Sequence, residues 1–256
     1  MSRAMRLAAM RAQIAALEAG TRTPTRVAPF GDPTIDDCFP NGGLPLSTWH
    51  EVAGEGLEIE TAAAAGAFAA LLARPLASRG AVVWVMRRDD LHAPGLASLG
   101  FPVSRLILVK VKDEAEALWA LEDALGATGV AAALGEVEAV DLTAGRRLQL
   151  ACERSGATGV VVRRRPFGGP PSRRREAAGS AAASRWRVAP APGGEEDFGL
   201  GAARWRVTLD RCRGGRSGQW LMEEARNGPH ALRVVAAVAD RDLAAQAHAG
   251  ARRLAG

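Results

Sequence analysis

The chain has 256 residues, of which 48% are hydrophobic and 24% are charged, as in ordinary soluble globular proteins. No apolar run approaches the roughly 18–20 residues of a membrane span, and the N-terminus lacks a signal-peptide core. We therefore expect a cytoplasmic protein without a membrane partner. The pI near 10.0 favours a polyanionic partner, because 31 of the 33 basic residues are arginines and many are clustered.

Cysteine and histidine are too sparse to predict a metal site. Cys38, Cys152 and Cys212 are an odd number without metal-ligand spacing, so we predict buried small side chains rather than disulfides or a zinc site. None of the histidines pairs with a cysteine or carboxylate at ligand spacing, and we interpret all four as structural or solvated: His50, His92, His230 and His248.

Residues 1–24 are predicted to form an amphipathic helix and a linker. Apolar residues recur at three- and four-residue spacing between residues 3 and 19, and Gly20 supplies a stop. The apolar stripe consists of Leu7, Met10, Ile14 and Leu17. The basic side, with Arg3, Arg6 and Arg11, either meets nucleic acid or is solvated, and a solvated face is the more common meaning.

Strand and helix signals alternate through the middle of the chain and predict an α/β fold, a mostly parallel sheet flanked by helices. Ala81–Met86 is continuously apolar, which is typical of a strand covered on both faces. The other predicted strands are Ser47–Ala53, Arg105–Val111, Val130–Leu134 and Thr158–Arg163. The predicted helices are Ala62–Leu72, Leu91–Leu99, Asp113–Leu125 and Thr143–Arg154.

The chain changes character after Arg163. Residues 163–184 contain six arginines and a Gly-Gly-Pro-Pro run without periodicity, so we predict a long, basic, mobile loop. Strand-like segments follow, Ser184–Ala189 and Ala203–Leu209. A hairpin at Asn227-Gly228 and a closing helix over 240–254 are predicted at the C-terminus. We thus divide the chain into an N-terminal unit (1–24), a core (25–210) and a C-terminal hairpin with a helical tail (211–256).

Three tryptophans in these segments allow two interpretations. Trp186, Trp205 and Trp220 are bracketed by arginines or polar residues, so they either stack on DNA or pack into the core. Alternation along strands favours core packing.

The segment Gly54–Thr61 has the outline of a Walker-type loop, which joins a strand to a helix and binds phosphate through backbone N–H groups. The positions of its last glycine and its lysine hold Ile59 and Glu60. A β-branched residue is disfavoured at positive φ. A unit-charge contact at about 4 Å is worth roughly 4 kcal/mol at an effective dielectric of about 20, so reversing its sign weakens phosphate binding on the order of a thousandfold. We predict no nucleotide hydrolysis and no cofactor.

The residues upstream carry a resemblance. Gly31–Asp36, Gly42–Pro45 and Trp49–Gly54 follow the order found in RecA-type ATPase cores: a G-x-x-x-x-D segment, G-G-[LI]-P, a strand with Glu, and the phosphate loop. More narrowly, Gly-Gly-Leu-Pro followed by Trp-His-Glu-Val-Ala-Gly is similar to the ImuA family. That family comprises RecA-like, sometimes SulA-like, proteins of bacterial DNA-damage-induced mutagenesis cassettes. The resemblance covers roughly residues 28–210 and implies a RecA-like P-loop core.

Compared with RecA-type enzymes, the metal position is also altered. Gly135 occupies the place where a strand would present an Asp that holds Mg²⁺ through water, with Glu136 and Glu138 nearby but displaced. Asp89 and Asp90 stand where those enzymes carry a water-activating Glu, although an acidic pair after a strand is more often a polar loop. The resemblance therefore implies a protein that descends from an ATPase but has lost hydrolysis, with no catalytic residue and no metal.

The resemblance also implies a DNA-binding hypothesis, because RecA proteins contact single-stranded DNA through a mobile loop after the fourth core strand. The candidate residues are Arg163, Arg164, Arg165, Phe167, Arg173, Arg174 and Arg175. A solvated, disordered run is the alternative. Little room is left between Gly135 and Thr143 for a second DNA loop, so binding weaker than a recombinase's is expected.

The function implied by the resemblance is that of a non-catalytic adaptor in error-prone translesion synthesis during the SOS response. Its expected partners are a RecA-type recombinase, an inactive Y-family-like polymerase subunit and an error-prone C-family DNA polymerase, with single-stranded DNA as a further candidate. The N-terminal stripe and residues 211–256 are the candidate docking segments. Two alternatives are a DNA-binding recombination mediator that modulates RecA filaments, and a SulA-like cell-division inhibitor.

Overall fold

The computed structural model describes residues 26–165, 181–193, 201–225 and 230–237. Its helices are α1 (Pro33–Asp36), α2 (Glu58–Ala73), α3 (Ala93–Ser98), α4 (Glu114–Gly126) and α5 (Leu142–Ser155), with 3₁₀ turns at Arg74–Ser78 and Val103–Arg105. Its strands are β1 (Val27–Ala28), β2 (Leu44–Pro45), β3 (Trp49–Gly54), β4 (Ala81–Met86), β5 (Leu106–Lys110), β6 (Val130–Val137), β7 (Thr158–Arg163), β8 (Ser184–Ala191), β9 (Arg204–Cys212), β10 (Gly218–Glu224) and β11 (Leu232–Ala237).

Nine of these strands form one mixed sheet in the order β11-β10-β9-β8-β3-β7-β6-β4-β5, beside a two-stranded ribbon of β1 and β2. The pairs from β5 across to β8 are parallel, and those from β8 to β11 are antiparallel. The predicted α/β architecture is confirmed. The predicted hairpin strands extend this same sheet, and the boundary predicted at residue 211 falls inside β9.

The sheet carries a hydrophobic core on each face. On one face α2 packs against side chains that include Trp84 and Trp186, and on the other α4 and α5 cover Trp49. The predicted core packing of the three C-terminal tryptophans is confirmed, because Trp186, Trp205 and Trp220 are all buried on the α2 face. Buried indole rings are not available to stack on DNA bases.

Local signals explain where the helices begin. Asp113 and Asp141 cap the N-termini of α4 and α5 by accepting from the backbone N–H groups of Glu116 and Ala144. Helix α2 begins at Glu58, four residues before the predicted start at Ala62. The acidic residues of its first turn complement the helix dipole, which explains this difference.

The Gly31–Asp36 motif forms a capped turn. The carboxylate of Asp36 accepts hydrogen bonds from the backbone N–H groups of Phe30 and Gly31, at 2.8 and 2.9 Å. Gly31 has φ +80°, a conformation that favours glycine. The turn places Phe30 against Trp186, with ring centroids 5.9 Å apart. The motif is therefore built to fix this edge of the core.

By length and hydropathy alone, Glu58–Ser78 would qualify as a membrane span, and it is the one such stretch within the described residues. It comprises α2 and the following 3₁₀ turn, and 56% of its most apolar window is buried inside the protein. Its apolar character is accounted for largely by its contact with the sheet.

All three cysteines are buried free thiols, as predicted. His50 is fully buried at the start of β3. Its Nδ1 lies 2.7 Å from Ser184 Oγ and its Nε2 lies 2.8 Å from the Pro45 carbonyl oxygen. The carbonyl can only accept, so the ring is held as the tautomer that donates from Nε2 and accepts from Ser184. Burial lowers the pKa of His50 to about 4.

We predict that His50 makes the protein less stable in mild acid. The unfolded chain binds a proton at His50 below pH 6.5, whereas the folded chain binds it only below about pH 4, so stability falls as pH decreases through this window. The expected loss between pH 7 and pH 5 is about 2 kcal/mol, measured by urea unfolding. His50→Gln should reduce this pH dependence, and His92→Gln, at an exposed histidine, is the control. Equal pH dependence in wild type and His50→Gln would contradict the prediction.

Candidate functional site at the carboxyl ends of the parallel strands

The loop between β3 and α2 is a turn fixed by contacts within the chain. A side chain at Gly54 would collide with Oγ1 of Thr61, which is buried and donates to the Leu57 carbonyl at 3.0 Å. Gly56 has φ +128°. The backbone N–H of Glu55 donates to Val188 at 2.9 Å and fixes the loop to β8. Gly54 and Thr61 therefore have a packing role in this loop.

The two residues that break the Walker pattern are exposed at the rim of the crevice beside the first turn of α2. The side chain of Ile59 is 92% exposed, Leu57 is 66% exposed, and Glu60 is also exposed. Glu58, which the sequence pattern did not single out, turns inward instead and contacts β7's C-terminal extension. The first turn of α2 thus presents one carboxylate to the crevice and two large apolar side chains to solvent.

Arg164, one residue beyond the end of β7, occupies the crevice. Its Nε lies 2.9 Å from Glu58 Oε1, its Nη2 lies 2.9 Å from Asp90 Oδ2, and its Nη1 lies 2.9 Å from Glu136 Oε2. Only 11% of the Arg164 side chain is exposed. One guanidinium therefore joins carboxylates from α2, the segment after β4 and the end of β6. We call Glu58, Asp90, Glu136 and Arg164 the Arg164 cluster.

The electrostatics of the Arg164 cluster favour a charged guanidinium. The hydrogen bond from Arg164 lowers the pKa of Asp90 below its usual range. Burial raises the pKa of Glu136, and this exceeds the opposing effects of the Arg164 charge and of the Trp84 indole N–H, which donates to Glu136 at 2.9 Å. Burial lowers the pKa of Arg164, but its hydrogen bonds to Asp90 and the charge of Glu136 raise this pKa by more. The guanidinium therefore stays protonated.

The structure revises the predicted positions of the acidic residues. β6 continues to Val137, so Gly135 lies within the strand, where its missing side chain makes room for Leu121. Glu136, which follows Gly135, is carried by the longer strand directly into the Arg164 cluster. Glu138 lies outside the cluster, 3.7 Å from Arg87.

The acidic pair after β4 is divided between two roles. Asp90 belongs to the Arg164 cluster, whereas Asp89 is largely exposed and lies 3.8 Å from the ammonium group of Lys110. The sequence could not separate these two carboxylates, since adjacent residues in a loop carry no periodic signal.

The candidate DNA-binding residues fall partly outside the described part of the chain, which omits Phe167, Arg173, Arg174 and Arg175. Of the others, Arg163 contacts Glu51 Oε1 at 3.1 Å, and Arg165 donates its backbone N–H to Glu58. Arg164 would have to leave three ion pairs to reach a phosphate. DNA binding by this cluster stays a prediction. The N-terminal stripe, Asn227-Gly228 and residues 240–254 also lie outside the described ranges.

The arginines that alternate with tryptophans on β8 and β9 form ion pairs on the sheet face opposite α2. Arg187 Nε lies 2.8 Å from Asp210 Oδ2, and Arg204 Nε lies 2.8 Å from Glu223 Oε2. Arg185 approaches Glu51 at 3.5 Å. This alternation therefore encodes a two-sided sheet, with tryptophan in the core and arginine paired with acids on the other face.

We predict that Gly54→Ala destabilises the protein by about 2 kcal/mol, because the added methyl group overpacks the contact with the buried Thr61 side chain. Thermal and urea unfolding measure the change. Gly126→Ala is the matched control, since its added methyl group meets no atom within 4 Å. That substitution should be neutral or stabilising, as alanine favours the helix by up to about 1 kcal/mol. An unchanged stability for Gly54→Ala would contradict the packing role.

We predict that Arg164→Ala costs about 3 kcal/mol of folding stability, because it leaves buried Glu136 without its counter-ion. Adding Glu136→Gln should recover part of that loss, since an amide carries no charge to desolvate. Arg88→Ala is the control, because its side chain is 59% exposed and lies 3.7 Å from Asp90. It should cost less than about 1 kcal/mol. Equal losses in urea unfolding for Arg164→Ala and Arg88→Ala would contradict the role assigned to the cluster.

Comparison with known proteins bears on the family. The chain is 61% identical over 243 residues to Protein ImuA of Caulobacter vibrioides strain NA1000 / CB15N, covering 92% of this chain and 99% of the relative. The values for strain ATCC 19089 / CIP 103742 / CB 15 are the same. No family model matches. SulA from Pseudomonas aeruginosa aligns with 46% of this chain and 98% of its own at 20% identity, but its TM-score of 0.39 is too low to support a conclusion. On the near full-length identity to the two Caulobacter proteins, the chain belongs to the ImuA family.

Proposed function

We propose that the protein is a non-catalytic, RecA-like accessory protein of error-prone translesion DNA synthesis in DNA-damage-induced mutagenesis. In this proposal it bridges a RecA-type recombinase, or single-stranded DNA, to an inactive Y-family-like polymerase subunit and an error-prone C-family polymerase in the cytoplasm. The membership in the ImuA family supports the pathway, as that family's members are expected in mutagenesis cassettes.

One observation carries the non-catalytic part: a guanidinium of the chain itself lies where a phosphate loop and its neighbouring strands would meet a nucleotide. Ligands of open parallel sheets bind outside the carboxyl ends of the strands. Here Arg164 fills that position and is held by Glu58, Asp90 and Glu136. A bound nucleotide would have to displace these ion pairs and approach three carboxylates.

The residues of the loop support the same proposal. Glu60 stands at the position of the lysine that would neutralise phosphate. Ile59, whose side chain is exposed, stands at the position where a glycine would let phosphate approach the backbone. The strand order and the turn at Gly54 support descent from a P-loop core, because a loop of this outline follows β3, the central strand of the nine-stranded sheet. In this proposal the fold provides a surface that partners bind, and it does not hydrolyse nucleotide.

We predict that the purified protein hydrolyses no ATP above the rate without enzyme, with Mg²⁺ present, because the carboxylates of the Arg164 cluster line the crevice and would repel the phosphates. The measurement is phosphate release over several hours. Thr61→Ala is the control, since it removes the hydroxyl that phosphate loops use for Mg²⁺. Turnover in the wild type that disappears in Thr61→Ala would overturn the non-catalytic proposal.

The bridging part is tested by co-purification of the full chain with the recombinase and both polymerase subunits. The complexes should form without nucleotide and be unchanged by a non-hydrolysable ATP analogue. Single-stranded DNA is titrated separately, and Arg→Ala substitutions at 173–175, which leave the Arg164 cluster intact, test the basic loop. Tight DNA binding without polymerase partners would favour the mediator alternative, and binding of no partner would overturn the proposal.

A further inference from the structure

The arginines of the described residues fall into two groups according to their partners. Many lie within 4 Å of a carboxylate, among them Arg164, Arg187 and Arg204. A second group is exposed and forms no ion pair with any described residue. Its members are Arg26, Arg79, Arg105, Arg146, Arg154, Arg213 and Arg216. Within the described ranges, no acidic side chain neutralises the charge of this second group.

Two arginines of the second group belong to the turn between β9 and β10. The backbone N–H of Arg213 donates to the carbonyl of Ala183, which directly precedes β8, at 2.9 Å. The backbone N–H of Arg216, two residues before β10, donates to the Cys38 carbonyl at 3.0 Å. The turn is therefore fixed at the edge of the sheet where β8 and β10 begin.

Two more lie at the same edge, beside the beginnings of β3 and β7. The carbonyl of Arg26 accepts from the N–H of Leu46, in the segment that leads into β3, at 2.8 Å. Arg154 lies in the last turn of α5. Ser47 Oγ donates to the Gly156 carbonyl at 3.2 Å, so the end of α5 is held beside the segment that enters β3.

The remaining strands continue the pattern. Arg79 is two residues before β4, and Arg105 directly precedes β5. Arg146, in the first half of α5, is the exception within the second group. We call the other six the amino-edge strip, because they lie where the parallel strands begin: Arg26, Arg79, Arg105, Arg154, Arg213 and Arg216.

The length of the amino-edge strip fits a turn of duplex DNA. The strip extends from β10 to β5, which are separated by six strands in the sheet order. With neighbouring strands about 4.8 Å apart, this edge is about 34 Å long. One helical turn of DNA is also about 34 Å long. The strip can thus follow the phosphates of one turn.

The side chains of the strip select the backbone and not the bases. Guanidinium groups bind phosphate oxygens through their planar fork. Single strands are usually held by aromatic side chains on which the bases stack. Within the described ranges, the one largely exposed aromatic side chain is that of Trp119, in the middle of α4. A duplex, whose bases are already stacked and whose phosphates are regularly spaced, is therefore the better fit.

Helix dipoles do not account for the whole strip. A cation in the last turn of an α-helix complements the helix dipole, and this explains Arg154 equally well. The other five lie outside the α-helices. Asp37 and Glu153 are exposed carboxylates at the same edge, but neither forms an ion pair with the strip. The edge keeps an excess of positive charge.

We propose that the amino-edge strip binds the phosphate backbone of duplex DNA without sequence preference. This surface lies at the edge of the sheet opposite the Arg164 cluster. It does not depend on the basic loop at 173–175 or on the bridging of polymerase subunits, so either of those can fail while the strip still binds DNA.

The test is the salt dependence of duplex binding by the full chain, followed by fluorescence anisotropy with several unrelated sequences of about 20 bp. Replacing both Arg213 and Arg216 by alanine should weaken binding by more than about tenfold at about 0.1 M salt. It should also reduce the slope of log K against log salt by about 1.8, since each phosphate contact contributes about 0.9.

Arg154 and Arg146 provide a matched pair, because both are exposed on α5 and neither forms an ion pair with a described residue. Arg154→Ala should reduce the slope by about 0.9, and Arg146→Ala by less than about 0.3. Arg154→Lys should retain the slope, because it keeps the charge. Circular dichroism and thermal unfolding show that each variant is folded.

Three outcomes would overturn the proposal. The first is an equal loss of affinity in Arg154→Ala and Arg146→Ala, and the second is no duplex binding by the wild type. The third is tighter binding of another probe with the same dependence on Arg213 and Arg216. A single strand of the same length would then assign the strip to single-stranded DNA, and poly-glutamate would assign it to an acidic protein.

Discussion

The interaction between Arg164 and three carboxylates organises the edge of the sheet where the parallel strands have their carboxyl ends. Glu58, Asp90 and Glu136 come from segments that are separate in sequence, and each lies about 2.9 Å from one guanidinium. The loop after β3, the segment after β4 and the end of β6 are thus tied to the end of β7. An arginine suits this place because its planar fork donates in several directions at once and stays charged when partly buried.

The turn between β3 and α2 also holds its shape without a lysine. The turn depends on contacts within the chain: Gly54 packed on Thr61, and Glu55 hydrogen-bonded to β8. The inward carboxylate of Glu58 meets an internal cation where a nucleotide-binding loop would meet an anion. The exposed Leu57 and Ile59 of this loop add apolar surface.

The β-rich end of the sheet divides its residues by face. Tryptophans of β8, β9 and β10 fill the core against α2, and arginines on the opposite face pair with acids such as Asp210 and Glu223. Strong basic character in the sequence therefore does not translate directly into a bare cationic surface, since several of these guanidinium groups have carboxylate partners within 4 Å. A polyanion that bound this face would have to compete with these pairs.

Periodicity, turn residues and motif order determined the alternation of strands and helices, the buried tryptophans and cysteines, and the family, because these features depend on local spacing. The sequence pattern did not predict helix α1, the early start of α2 or the full length of β6, because contacts in the folded chain decided them. The Arg164 cluster could not be read from the chain: Arg164 looked like one member of a basic run, Glu58 like a loop residue and Glu136 like a displaced acid. Only the parallel sheet, by bringing the ends of β4, β6 and β7 to one edge beside α2, made these distant charges neighbours.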